Sequence, residues 1–254
     1  MSIKGLELTL RNLSTLLVRH LGQLADAEAA EPSRLLELCQ LYRRIGCGHL
    51  LAHHDVQEFT ENLFSSAEMY LLLRTRQPDA KAERSLLARS RGAPLLDALC
   101  IGAWDLAREI SRVMPATWWS DVEEEEDFLF FKLLTSLMDG QVDPTDARRL
   151  KELLEEVGTA RLSALDAVLR VDARAFEEAL RTLTDDWRVA IEHARETRPV
   201  DPYHDRTEAH VFIEGAALVK VARLREVKTE GRYDFIPAAI LRDLTRILPS
   251  PVMG

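Results

Sequence analysis

Cysteine is scarce in this sequence: Cys39, Cys47 and Cys100 are the whole supply, and their number is odd. Such a set makes no disulfide framework, and free thiols fit a reducing compartment. Long apolar runs are missing too. The longest stretch without Asp, Glu, Lys or Arg, Ile45 to His54, is too short to span a bilayer. The opening residues, MSIKGLELTLRNL, carry charge where a secretory signal has its apolar region. A cytoplasmic chain with no membrane partner is expected. Basic charge is in deficit. Lys and Arg number 33 against 42 Asp and Glu, a net charge of −9. That argues against a nucleic-acid partner bound by neutralising phosphates, and would suit a basic protein partner. Phosphate loops, dinucleotide fingerprints and nucleophile elbows are absent. No cofactor and no catalytic residue is expected.

What is present is helical periodicity. Residues 95–114, LLDALCIGAWDLAREISRVM, read as a short helix, a break at Gly102-Ala103-Trp104-Asp105, and a second helix. The pattern returns over 161–183, RLSALDAVLRVDARAFEEALRTL. Leu96-Asp97-Ala98-Leu99 aligns with Leu165-Asp166-Ala167-Val168 at an offset of 69. With one residue inserted at the break, Leu106 and Ile110 align with Phe176 and Leu180 at an offset of 70. Such a hairpin buries its apolar face only against neighbours stacked on it. At 254 residues a single fold buries roughly 75% of its unfolded surface and needs no staple.

The rest of the chain reads as further helices. Leu6 to Leu24 forms one, and 25–32 is a linker. Ser33 caps a helix that Gly46 and Gly48 end. Asp55 opens a long helix stopped by Pro78, and 79–91 is a short basic helix ended by Gly92. Ser120 and Glu123 have capping-box spacing, so a helix begins Asp121-Val122-Glu123 and runs into Phe128-Leu129-Phe130-Phe131. Asp143-Pro144 starts another, with Val157 on its apolar stripe and Gly158 at its end. The second helix of the later hairpin runs on past Ala194. Thr207 to Val227 forms one more, with Gly215 permitting close helix approach. Residues 228–234 turn, and Pro237 starts a last helix. No strand stands out. The expected fold is all-α: about ten helices in stacked hairpins, solenoid-like, in one domain over 1–254, with N-terminal helices over 1–92 and a hairpin core over 93–248.

Candidate chemistry is thin. Cys39, Cys47, His49, His53 and His54 form the best metal set, with His49 and His53 one helical turn apart. The glycines beside Cys47 would break that helix, so no metal site is expected. Glu123, Glu124, Glu125, Glu126 and Asp127 form the densest charge run, beside Trp118-Trp119. Acid at a helix start opposes the dipole, but the run holds more acid than the dipole needs. A partner surface with the tryptophans as anchors would account for the excess.

The phrases LLDALCIGAWDLAREI and LDAVLRVDARAFEEAL, with the ending EGAALVKVARLREVKTEGRYDFIPAAILRDL, resemble the helical immunity proteins of bacterial polymorphic-toxin systems, closest to the family called immunity protein forty-nine. The likeness covers about 93–244. Family members carry an aromatic-x-(Leu/Ile)-Pro start before the last helix; here Phe235 and Ile236 are adjacent and Tyr233 lies further back. The resemblance implies a non-enzymatic antidote that binds and neutralises a cognate toxin domain, and assigns no functional residue by position. Two alternatives stay open: a helical-repeat scaffold that binds a peptide or partner protein in a groove, and an enzyme assembled from scattered groups such as His49, His53 and the acidic run.

Overall fold

Apolar residues three and four apart form stripes that need a neighbour, and the chain answers with helices throughout. The computed structural model describes residues 3–25, 31–76, 84–197 and 199–249. Its helices are α1 (Ile3–Ala25), α2 (Pro32–His53), α3 (Val56–Arg76), α4 (Arg84–Leu87), α5 (Ala93–Ile101), α6 (Trp104–Val113), α7 (Glu125–Asp139), α8 (Pro144–Glu156), α9 (Ala160–Leu169), α10 (Ala173–Thr197), α11 (Pro202–Arg206) and α12 (Ile213–Leu224). Single 3-10 turns lie at Arg89–Arg91, Glu208–His210 and Thr245–Ile247. Ten of these helices have nine residues or more. The only β pairing among the described residues is an isolated bridge, Tyr233 to Ile236. The fold is all-α, as expected. Among the described residues no helix is long and apolar enough to cross a membrane. Parts of the linker over 25–32 and of the basic helix over 79–91, and Pro78, lie outside the described residues. The described part of that basic helix is α4 and the 3-10 turn after it.

Neighbours in sequence pack together: α1 on α2, α2 on α3, α3 on α5 and α6, α7 on α9, α9 on α10, while α12 closes on α5. One hydrophobic cluster runs from Leu35 on α2 to Leu244. A second, of Leu10, Leu13, Leu41 and Ile45, lies between α1 and α2.

The two sequence hairpins are α5–α6 and α9–α10, and they share a backbone device. At the first break the N–H groups of Gly102 and Ala103 donate to the carbonyls of Leu99 and Ala98. At the second, Val171 and Asp172 donate to Val168 and Ala167. Beyond the breaks Ala107 donates to Ala103, and Phe176 to Asp172. The offset is therefore 69 on both sides, and the expected one-residue insertion does not exist. Ala107, Ile110 and Met114 take the places of Phe176, Ala179 and Leu183, all buried. The shared register puts Gly102 (φ 75°) and Val171 (φ 53°) in the same left-handed position.

Several local expectations are overturned. Gly46 and Gly48 do not end α2, which runs through both. A Cβ on Gly46 would lie 3.0–3.2 Å from atoms of Leu63, Asn62 and Phe59 on α3, and one on Gly48 only 2.6 Å from Leu10 Cδ2. The glycines admit α3 and α1 to opposite close contacts. Ser33 is not the cap; Glu31 stands at that position with no side-chain bond and Pro32 opens the helix. Val157 is exposed rather than on a buried stripe. Thr207 to Val227 is not one helix: a 3-10 turn at Glu208–His210 precedes α12, which ends at Leu224. The close approach at Gly215 comes from Phe212 and Ile236, not from a facing helix. Pro237 starts no α-helix. Lys220 Nζ donates to the Arg242 carbonyl, and Arg223 Nη1 to that of Leu241 at 2.6 Å. Cations from α12 thus take acceptors a continuing helix would need, and only turns and the 3-10 turn at Thr245–Ile247 form.

Candidate functional site

Pro115, at the end of α6, sends the chain into the 115–124 loop that carries both tryptophans. Trp119 is half-buried against the core, with the Arg84 guanidinium 5.3 Å over its ring. Trp118 stays 41% exposed. Its ring is nonetheless fixed, because Nε1–H donates to the Glu123 carbonyl at 2.9 Å. Glu123 is buried, and its Oε2 accepts from the Ser90 amide at 2.7 Å. The expected Ser120–Glu123 capping box is therefore absent. Glu123 closes a turn, its amide donating back to Trp119, and α7 starts at Glu125 with Glu124 at the cap position.

The rest of the run is tied inward. Both Glu125 oxygens accept from Arg149 on α8 at 2.8 Å. Those bonds hold the Glu125 carboxyl below its ordinary range. Glu126 accepts from Thr159 Oγ1 at 2.6 Å. Asp127 accepts from Arg161 at 2.6 Å, and that guanidinium lies 3.9 Å over the Phe130 ring while donating to Glu214 on α12. The acid excess thus has internal work: it clamps α7 to α8, α9 and α12. Glu124 is exposed.

Sequence reasoning missed what lies beside this run. Trp118, Phe128, Leu129, Glu125, Asp146 and Glu152 line, with neighbouring residues, a depression of about 280 Å³ against α8. Asp146 is buried; its Oδ1 accepts from Lys132 at 2.7 Å and its Oδ2 has no partner. The one sequence signal was the helix start at Asp143-Pro144, which places Asp146 in the first turn of α8.

A second concavity, of about 610 Å³, runs between α10 and residues 228–230 and continues along Arg188, Arg232 and Tyr233. Tyr233 and Asp234, from the Tyr-Asp-Phe-Ile stretch, line part of that continuation. Tyr233 Oη donates to Glu177 at 2.7 Å, Arg188 donates to Asp234 at 2.8 Å, and the Phe235 carbonyl accepts from the Phe212 amide. Phe235 sits at φ 59°.

Several strongly perturbed groups lie inside the helix stack. Asp97 is fully buried and accepts from Arg43 Nε at 2.7 Å and Ser66 Oγ at 2.6 Å. Burial pushes its carboxyl up, against the pull of Arg43. Cys39, Cys47 and Cys100 are free and buried, and burial raises all three thiols. That suits packing rather than nucleophilic chemistry. His49 and His53 do share a helix, their rings 5.8 Å apart. Among the described residues no group of three or more His, Cys, Asp or Glu is placed to hold a metal ion.

Comparisons with family models, curated proteins and solved structures give no match.

Proposed function

We propose that this chain is a non-enzymatic antidote that binds a cognate bacterial toxin or effector domain and neutralises it, in the cytoplasm. The observation that carries the reading is Trp118. A large aromatic ring left exposed is held in one orientation by its bond to Glu123 and by Glu123's bond to Ser90. Fixed aromatic anchors supply most of the energy in protein interfaces, because their ordering cost is already met. Trp118 and Glu124 offer the contact; Trp119, Glu123, Glu125, Glu126 and Asp127 set the surface beneath them. The sequence likeness to helical immunity proteins supports the same reading, and a partner of basic character suits the net charge.

Co-expression tests it. The toxic domain encoded beside this chain should arrest growth alone and permit it when this chain is present. Trp118→Ala should weaken the complex about 30-fold, a hot-spot loss of about 2 kcal/mol. If no neighbouring product is toxic, or if the two proteins do not associate, the antidote reading fails. A scaffold that binds an extended segment is the second reading, favoured by the long concavity along α10. It requires that Arg181→Glu, in the floor of that concavity, abolish partner binding while Trp118→Ala leaves it intact.

A further inference from the structure

We propose that the depression between Trp118 and α8 takes one cationic side chain, an arginine or lysine, from a protein partner. The proposal deepens the antidote reading and rests on it for the partner's existence, not for the chemistry of the pocket. The depression holds about 280 Å³. At about 30 Å³ per water-sized atom that is room for about nine, which a single arginine side chain fits. Its walls combine an exposed indole, the Phe128 and Leu129 side chains, and the carboxylates of Glu125, Asp146 and Glu152. An apolar wall for the methylene stem, a ring face and a carboxylate for the head are what a long cation needs.

The independent sign of a missing donor is Asp146. It is only 8% exposed, Lys132 takes Oδ1, and Oδ2 has no donor. A covered carboxylate oxygen without a donor is costly, and one supplied across an interface recovers that loss. Asp146 lines the depression while Oδ2 itself is shielded from solvent, so the incoming head would turn a covering side chain aside. Of the chain's own cations near Asp146, Arg89 is held by the Pro115 carbonyl and Thr135 Oγ1. Lys132 is committed to Oδ1. Arg149 is held by Glu125, Glu152 and Glu156. Arg148 stands exposed at the rim.

The same trio of ring, guanidinium and carboxylate occurs three times among the described residues, once where Arg188 lies over Phe235 and pairs with Asp234. Arg161 lies over Phe130 and bonds Asp127. Arg84 lies over Trp119 with Asp121 at 3.9 Å. Trp118 has the carboxylates but no cation over its ring among the described residues. The acidic lining would also speed the approach of a basic partner.

The probe is N-acetyl-arginine amide, with N-acetyl-citrulline amide as its uncharged isostere, titrated into the full chain. The readout is the indole N–H signals of the four tryptophans, with Trp118→Phe assigning one. The Trp118 signal should shift saturably, in the millimolar range, with the arginine compound and at least fivefold more weakly with citrulline. Asp146→Asn should weaken binding at least threefold. Glu152→Gln, which leaves the Lys132 pair intact, should weaken it in the same direction, and Arg148→Ala should strengthen it. No saturable shift at Trp118, equal response to citrulline, or binding untouched in both Asp146→Asn and Glu152→Gln overturns the pocket. That result leaves the antidote reading to its own co-expression test. A chain that binds the arginine compound yet protects against no toxin retains the pocket and loses the antidote.

Discussion

Val171 occupies the left-handed position that glycine fills in the other hairpin. For a β-branched residue that conformation costs about 1–2 kcal/mol. Burial does not offset it, since Val171 is 53% exposed. Val171→Gly removes the strain and returns part of the gain through the greater entropy of an unfolded glycine, about 0.5–1 kcal/mol. A net stabilisation of about 0.5–1 kcal/mol should follow, raising the thermal midpoint by roughly 1–4 °C in a chain of this size. Gly102→Val is the mirror experiment and should lower it. Calorimetry of both variants decides: a Val171→Gly protein no more stable than the parent shows that the strain is relieved elsewhere. At this scale the sequence was partly legible. The two breaks aligned by Leu-Asp-Ala-Leu and Leu-Asp-Ala-Val, and the caps Asp55 and Asp143 bond as their residue types require. The partners of the acidic run were not, because Arg149, Thr159 and Arg161 lie 24 to 34 residues away. Nothing local marks which of several cations a carboxylate meets.

Elements were legible where their ends are decided locally and illegible where a distant element decides. Asp143-Pro144 started α8 without help. The glycines of α2 read as stops because a glycine costs a helix about 1 kcal/mol, yet α1 and α3 approach so closely there that the helix continues. The final segment shows the reverse. Its apolar spacing is helical, and Ile240, Leu241 and Leu244 are buried as such a helix would bury them, but Lys220 and Arg223 take its carbonyls. Gly215 gives a test of tertiary packing against propensity within α12. Alanine is the better helix former, by about 1 kcal/mol. An added Cβ would nevertheless lie 2.4 Å and 2.6 Å from the Phe212 ring and 2.9 Å from Ile236 Cδ1. The ring cannot swing away, because it is buried and stacked on Trp187 with centroids 5.0 Å apart. Gly215→Ala should therefore destabilise the protein by about 1–3 kcal/mol despite its propensity. Denaturant unfolding would show it as a lower midpoint at unchanged slope. A stabilised variant would mean that Phe212 has room to move.

The stack as a whole is not equally anchored along its length. Hairpins in its middle pack on both sides, with α5 between α3 and α12. At the N-terminal end α1 lies chiefly on α2 and touches α11. Its fully buried contacts, Leu10 and Leu13 with Leu41 and Ile45, form a cluster apart from the main core. Farther along, Leu17, Leu21 and Leu24 reach the main core only as half-buried residues. Side-chain bonds add little: Arg206 donates to Thr9 Oγ1 at 3.3 Å, and His20 Nδ1 lies 3.4 Å from a Glu37 carboxylate oxygen on α2. Cooperative units of that kind open before the rest, since opening exposes few buried groups and breaks few bonds. The N–H groups of α1 should therefore exchange with solvent at a lower opening free energy than those of α3 and α5. Their exchange should also depend less steeply on denaturant, because that slope reports the surface exposed in the opening. The acidic surface near Trp118 belongs to α7, α8 and the loop before them, which pack in the main core, so opening α1 should leave it formed. Native-state exchange read residue by residue separates these cases. If α1 amides exchange only with global unfolding, at the same free energy and slope as α3, then α1 is an integral layer of the stack and the two hydrophobic clusters act as one.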